Sequence, residues 1–237
     1  MQRMFLTYIK QSFVIATVVV FSACGNSNKP AADEKNPAAA AAAPDSSVSA
    51  QKQTILFFGN SLTAGYGLDD PSTQAFPALI QDKIDSLKLP YKTVNAGLSG
   101  ETSADGKNRI GWILKQKVDV FVLELGANDG LRGIPVKETI KNLQAIIDTV
   151  KLRSPAAKLV ILGMQVPPNM GKDYTTQFKA IFPQLAAKNN MALVPFLLDG
   201  VGGIPALNQR DGIHPTAEGD KIVAANIWKV LQRVLQP

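Results

Sequence analysis

The chain has 237 residues, long enough for one sizeable domain plus extra segments. Its 46% hydrophobic and 19% charged residues describe an ordinary packed core and exclude a disordered or collagen-like chain. The net charge of +6 is scattered, with no two basic residues adjacent, so a phosphate-gripping stripe and nucleic-acid binding are excluded.

With one cysteine, Cys24, and one histidine, His214, no intrachain disulfide can form. A His/Cys zinc site lacks ligands, and no metal or cofactor is expected. The first element in chain order is an address. Arg3 and Lys10 precede an apolar run over residues 13–23, too short to span a bilayer, followed by Cys24. "FSAC" resembles a bacterial lipobox. That resemblance implies a signal over 1–23, cleaved before a lipid-carrying Cys24; the alternative is an ordinary signal with a stray thiol. Gly25 after the cysteine implies an outer-membrane lipoprotein facing the periplasm, bound to the membrane through its N-terminal lipid. Residues 24–53 read as that cysteine and a disordered Ala/Pro-rich tether. The 29 residues after Cys24 reach about 90 Å at full stretch.

From Thr54 onward β-rich runs alternate with amphipathic stretches. Strands are predicted over 54–59, 91–97, 118–126, 158–164 and 191–197, and the runs at 118 and 158 are apolar almost throughout, as in a sheet covered on both faces. Helices are predicted over 74–88, 103–116, 135–153, 174–189 and 215–236. Pro135 suits a first turn, and Pro183 is expected to kink its helix or mark a boundary. Trp112 and Trp228 both read as core. Five strand–helix alternations imply an α/β domain over 54–237, built on a parallel sheet with right-handed crossovers. No long exposed apolar helix demands a partner, so a monomer is expected.

Polar residues gather where such a sheet binds ligands, outside the carboxyl ends of its strands. Ser61 follows the first strand in "GNSLTAGYG", Gly100 the second in "GLSGET", and Asn128 the third in "GANDG"; Asp211 and His214 precede the last helix in "DGIHP". A serine hydroxyl needs a base to become a nucleophile, and His214 is the only imidazole available. Asp211, three residues earlier, can orient it. The N–H groups of Gly100 and Ser61 and the Asn128 amide can receive a developing oxyanion. Each residue taken singly also reads as a turn or cap.

Together these four blocks resemble the SGNH hydrolase (GDSL esterase) superfamily across 54–237, closest to its thioesterase I, arylesterase and lysophospholipase branch. The resemblance implies a three-layer, flavodoxin-like α/β/α sandwich with a five-stranded parallel sheet. It puts the nucleophile on Ser61, the oxyanion positions on Ser61, Gly100 and Asn128, and the acid and base on Asp211 and His214. The family usually has Asp where this chain has Asn60, which implies retained chemistry with an altered pH profile. Ala127 stands where close relatives often have glycine.

By the same resemblance the loop 165–174 covers an acyl chain, with Pro167 and Pro168 stiffening it and Met170 and Tyr174 lining it. Tyr66 is expected in the opposite wall. The implied activity is hydrolysis of medium- to long-chain acyl esters or thioesters, lysophospholipids among them. Two rivals are an O-deacetylase of envelope glycans and a non-catalytic envelope binding protein on the same fold.

Overall fold

Alternating side chains of the first apolar run face opposite sides of a sheet, and this run supplies both sides with core. In the computed structural model, which describes residues 52–236, Phe57 meets Phe76 edge-on at 5.7 Å while Phe58 lies 5.9 Å from Phe121. The signal at 1–23, Cys24 and nearly all of the tether lie outside the described residues.

The strands are β1 (Gln53–Gly59), β2 (Tyr91–Gly97), β3 (Val120–Glu124), β4 (Lys158–Leu162) and β5 (Ala192–Val194). The helices are α1 (Ser61–Ala64), α2 (Pro71–Gln74), α3 (Phe76–Ser86), α4 (Ser103–Ile113), α5 (Ala127–Leu131), α6 (Val136–Arg153), α7 (Lys172–Asn189) and α8 (Ala217–Leu235). All strand pairs are parallel, in the order β2-β1-β3-β4-β5. Helix α3 packs with α8 on one face, and α4, α6 and α7 pack together on the other. The result is the three-layer α/β/α sandwich with a five-stranded parallel sheet.

Helix periodicity carries the layers. Leu143, Ile146, Ile147 and Val150 of α6 are fully buried, and Val223, Ile227 and Leu231 form the matching stripe on α8. Several boundaries differ from the sequence expectation. The helix predicted over 74–88 spans Phe76–Ser86, with the short α2 set apart before it, because Pro77 has no N–H to bond back to Thr73 and Ala75 turns extended (ψ 147°). The last strand stops at Val194 since Pro195 cannot donate to a ladder. Pro135 stands just outside α6 as its N-cap residue. Pro183 marks no boundary, for α7 runs through it. Phe178, Ile181, Phe182 and Leu185 bury that helix on one side, and Pro183 itself is exposed. Trp112 is not core. It is 67% exposed with Lys115 over its ring, because α4 buries the opposite side through Gly106 and Ile110. Trp228 is buried.

A proline inside a helix costs about 3 kcal/mol through its lost hydrogen bond and clash. Pro183→Ala is therefore expected to raise unfolding stability by about 1–3 kcal/mol in a urea titration. A midpoint that stays put or falls would mean that the ring contributes packing the helix needs.

Candidate active site

Strands β1 and β3 are neighbours, yet the chain leaves them in opposite directions, β1 toward β2 and β3 toward β4. In an open parallel sheet that divergence opens a crevice beyond the carboxyl ends of the two strands. Ser61 leaves β1 into this crevice and Asn128 leaves β3 into it. Gly100 arrives from the loop after β2, and Asp211 and His214 from the loop before α8. These five residues line one cavity of about 280 Å³.

The turn that carries Ser61 is tight because two glycines permit it. A Cβ on Gly59 would sit 2.1 Å from Thr63 Oγ1 and 2.5 Å from Glu124 Oε2; one on Gly97 would sit 2.3 Å from the Ala64 nitrogen. With neither present, α1 starts directly after β1. Asn60 caps it, its Oδ1 accepting from Leu62 N at 3.0 Å. Ser61 is the first helical residue.

The loop carrying the imidazole folds back on itself. Gln209 N donates to His214 O at 2.7 Å, and Gly212 takes a left-handed φ of 71°. Asp211 Oδ1 accepts from Ile213 N at 2.9 Å and His214 N at 3.1 Å, while Oδ2 lies 2.7 Å from His214 Nδ1. A carboxylate only accepts, so Nδ1 carries the proton and Nε2 is left as an acceptor. Nε2 lies 2.8 Å from Ser61 Oγ. Burial pushes the Asp211 pKa up, but the bonds from the His214 ring and from the Ile213 and His214 N–H groups outweigh it and hold it down at about 2. A depressed acid contributes stability above its ordinary pKa of 3.8 and loses it as pH falls toward 2, so this bond keeps its anion throughout the neutral range.

Gln209, which no sequence motif marks, staples the two loops: its Nε2 donates to Tyr66 O at 2.7 Å and to Pro215 O at 2.9 Å. Tyr66 is 54% exposed, and its ring centroid lies 4.8 Å from that of His214.

Donors converge on the same crevice. Among the described residues, neither the Ser61 nor the Gly100 N–H has a protein acceptor, and Gly100 has a φ of 82° with open space beside its Cα. Asn128 Nδ2 gives one hydrogen to Glu101 O at 3.0 Å, leaving its second free. Three further contacts fix these loops. Arg132 donates to Gly100 O at 3.0 Å. Arg109 grips buried Glu101 through two nitrogens, at 2.6 and 2.5 Å. Asp129, fully buried, accepts from the N–H and hydroxyl of Ser103 and from Thr139.

A second, apolar cavity of about 370 Å³ adjoins the first, sharing Leu62, Ala127, Leu131 and Ile213 with it. Pro167 and Pro168 form part of its wall, with Met164, Val166 and Phe196. Met170 and Tyr174 do not line it, contrary to expectation. Tyr174 turns away to donate to Ile134 O at 2.8 Å and stacks on Phe178, and Met170 sits half-buried in the short turn before α7.

An activatable hydroxyl, a base oriented by an anion, and several free N–H donors around one point suit acyl transfer through a tetrahedral intermediate. The profile of the GDSL-like lipase/acylhydrolase family matches residues 57–222. The chain is 40% identical over 187 residues to esterase TesA of Pseudomonas aeruginosa, covering 78% of this chain and 91% of that protein. Arylesterase of Vibrio mimicus is 36% identical over 80% of this chain and 94% of its own length. Among solved structures, a TesA crystal structure superposes with a TM-score of 0.73 at 38% identity, covering 78% of this chain and all of that one. The psychrotrophic esterase EstA of Pseudoalteromonas sp., inhibited by monoethylphosphonate, reaches 0.72 at 32% identity over 78% and 99%.

Because any Cβ at position 59 must displace Thr63 or Glu124, Gly59→Ala is expected to cost about 1–3 kcal/mol of stability. Thermal unfolding followed by circular dichroism measures it, and an unchanged Tm would show that the turn is looser than described.

Proposed function

The chain belongs to the GDSL-like lipase/acylhydrolase family of SGNH hydrolases and is a carboxylic ester hydrolase; from that premise we propose a serine esterase acting on medium- to long-chain acyl esters and thioesters, lysophospholipids included. The observation that carries the reading is the 2.8 Å approach of His214 Nε2 to Ser61 Oγ, in a crevice continuous with an apolar cavity.

In the proposed mechanism Ser61 Oγ attacks the acyl carbonyl carbon as its proton passes to His214 Nε2, and Asp211 steadies the resulting imidazolium. The carbonyl oxygen, now an oxyanion, is received by the N–H groups of Ser61 and Gly100 and the free hydrogen of Asn128. Such a donor typically lowers the barrier by about 2.7–4 kcal/mol. The C–O or C–S bond then breaks as His214 returns the proton to the leaving group. Water, deprotonated by the same imidazole, attacks the acyl-enzyme, and Ser61 leaves reprotonated with the free acid as product. The cavity walled by Leu62, Met164, Val166, Pro167 and Phe196 takes the acyl chain; its volume falls in the range of small-molecule pockets, about 300–1,000 Å³.

Ser61→Ala is expected to abolish p-nitrophenyl ester hydrolysis, by at least about 10⁴-fold, with an unchanged Tm. A fluorophosphonate should label wild-type protein at Ser61 alone. Turnover surviving the substitution rejects the mechanism, and an unlabelled Ser61 favours a binding protein. Across esters from acetyl to palmitoyl, with lysophosphatidylcholine alongside, kcat/KM should rise beyond acetyl. Activity confined to acetyl esters favours the glycan deacetylase instead.

Ahead of the domain we read a signal over 1–23, a lipid-bearing Cys24 and a tether that keeps the esterase on the envelope membrane. Expressed at full length in a bacterial host, Cys24→Ser should move from the membrane fraction to the soluble one; continued membrane association counts against the anchor.

A further inference from the structure

Glu124, the last residue of β3, is 1% exposed and lies directly behind the nucleophile turn, and the mechanism above gives it no task. Three donors converge on its carboxylate. Oε2 accepts from Asn60 N at 3.0 Å and from Thr63 Oγ1 at 2.8 Å; Oε1 accepts from Asn60 Nδ2 at 3.0 Å. Neither Asn60 nitrogen can accept in return, so the arrangement suits a carboxylate that only accepts.

The other end of the same carboxamide faces the nucleophile. Asn60 Oδ1 accepts from Leu62 N at 3.0 Å and lies 3.4 Å from Ser61 Oγ. Turning the amide over would bring its NH₂ against the Leu62 N–H and its oxygen against Glu124. Each is a mismatch in a buried site, where an unmet polar group is strongly disfavoured. The orientation of Asn60 therefore follows from what stands behind it.

We propose that Glu124 is a positioning residue for the nucleophile: its buried carboxylate holds the Asn60 NH₂, which aims Asn60 Oδ1 at the start of α1 and sets Ser61 in line with His214. The inference rests on the reading of Ser61 as nucleophile. It also accounts for the departure at position 60. With the Asp usual in the family, two carboxyl groups would meet across 3.0 Å and would have to share a proton. Asn60 supplies the hydrogens itself.

Burial pushes the Glu124 pKa up to about 7 while the bonds from Asn60 and Thr63 pull it down. A carboxyl so raised contributes most stability below its ordinary 4.5, and that contribution is lost as pH rises toward 7; above that the anion persists on its three donors. From β1 and α1 only Asn60 and Thr63 bond to it. Of the ionisable groups nearby, Asp211 and His214 connect to it only through Ser61 and Asn60, and Asp129 is committed to Ser103 and Thr139.

The test is a polarity swap in the full-length chain, assayed on a p-nitrophenyl ester near pH 8. Glu124→Gln keeps size and burial but presents an NH₂ to an NH₂. It is expected to lower kcat by about 10- to 100-fold with little change in KM. Adding Asn60→Asp makes the pair reciprocal, since the introduced glutamine can donate where Glu124 accepted, and most of the lost rate should return. Asn60→Asp alone puts two carboxyl groups on one shared proton, so its kcat should fall on the alkaline side, where the parent's does not. A fully active Glu124→Gln overturns the inference. So does a double variant that melts normally yet stays as slow as Glu124→Gln. If the double variant does not fold, the Asn60→Asp profile decides, and an alkaline limb coincident with the parent's overturns it. Absence of fluorophosphonate labelling at Ser61 in the parent sinks the esterase reading first; a labelled parent with an unrescued swap sinks this inference alone.

Discussion

Everything at the working edge of this fold depends on two backbones passing each other without side chains between them. Gly97 at the end of β2 lies against the α1 backbone, where a Cβ would come within 2.3 Å of the Ala64 nitrogen, and Gly59 lies against Thr63 and Glu124. That proximity lets the chain go from strand to helix in one residue, with Asn60 as the whole connection. A longer connection would let Ser61 wander. A short one fixes its hydroxyl relative to the sheet. The serine is thus located by sterics as well as by its hydrogen bond to His214.

Around this point the protein places acidic groups underneath its loops. Glu124 holds the turn after β1, Asp129 of α5 ties together the starts of α4 and α6, and Glu101 pins its own loop to Arg109 on α4. All three are buried, and each accepts from N–H or O–H donors of a neighbouring segment. Burying a carboxylate is costly unless it is hydrogen-bonded. Once bonded it specifies a single arrangement, because the donors have nowhere else to turn. The crevice is accordingly assembled from segments far apart in sequence without long stretches of regular structure to join them.

Much of this is legible in the residues alone, for identifiable reasons. The apolar runs at 120–123 and 159–162 and the four-residue stripe of α6 follow from burial on one or two faces, which periodicity encodes directly. The four polar blocks are visible because parallel topology alone sends them to one edge. Short helices such as α1 and α5 leave no periodic trace, and the break at Ala75 depends on a proline two residues later. Trp112 misleads because an aromatic in a helix carries no mark of which side it occupies. Gln209, Asp129 and Glu124 are invisible as site residues. Their work consists of hydrogen bonds to partners up to 143 positions away, and no local pattern announces those. The expectation that Tyr174 lines a channel rests on loop position alone, and its hydroxyl has a better partner in Ile134 O.

Gln209 and His214 lie near the far end of the polypeptide, 143 and 153 positions beyond the residues they meet. Read from the amino terminus, all five strands of the sheet therefore precede both residues. Under the proposed mechanism Ser61 gains its base only when the last loop docks against the start of α1. The contact that brings Ser61 and His214 together is thereby among the last in chain order to become possible.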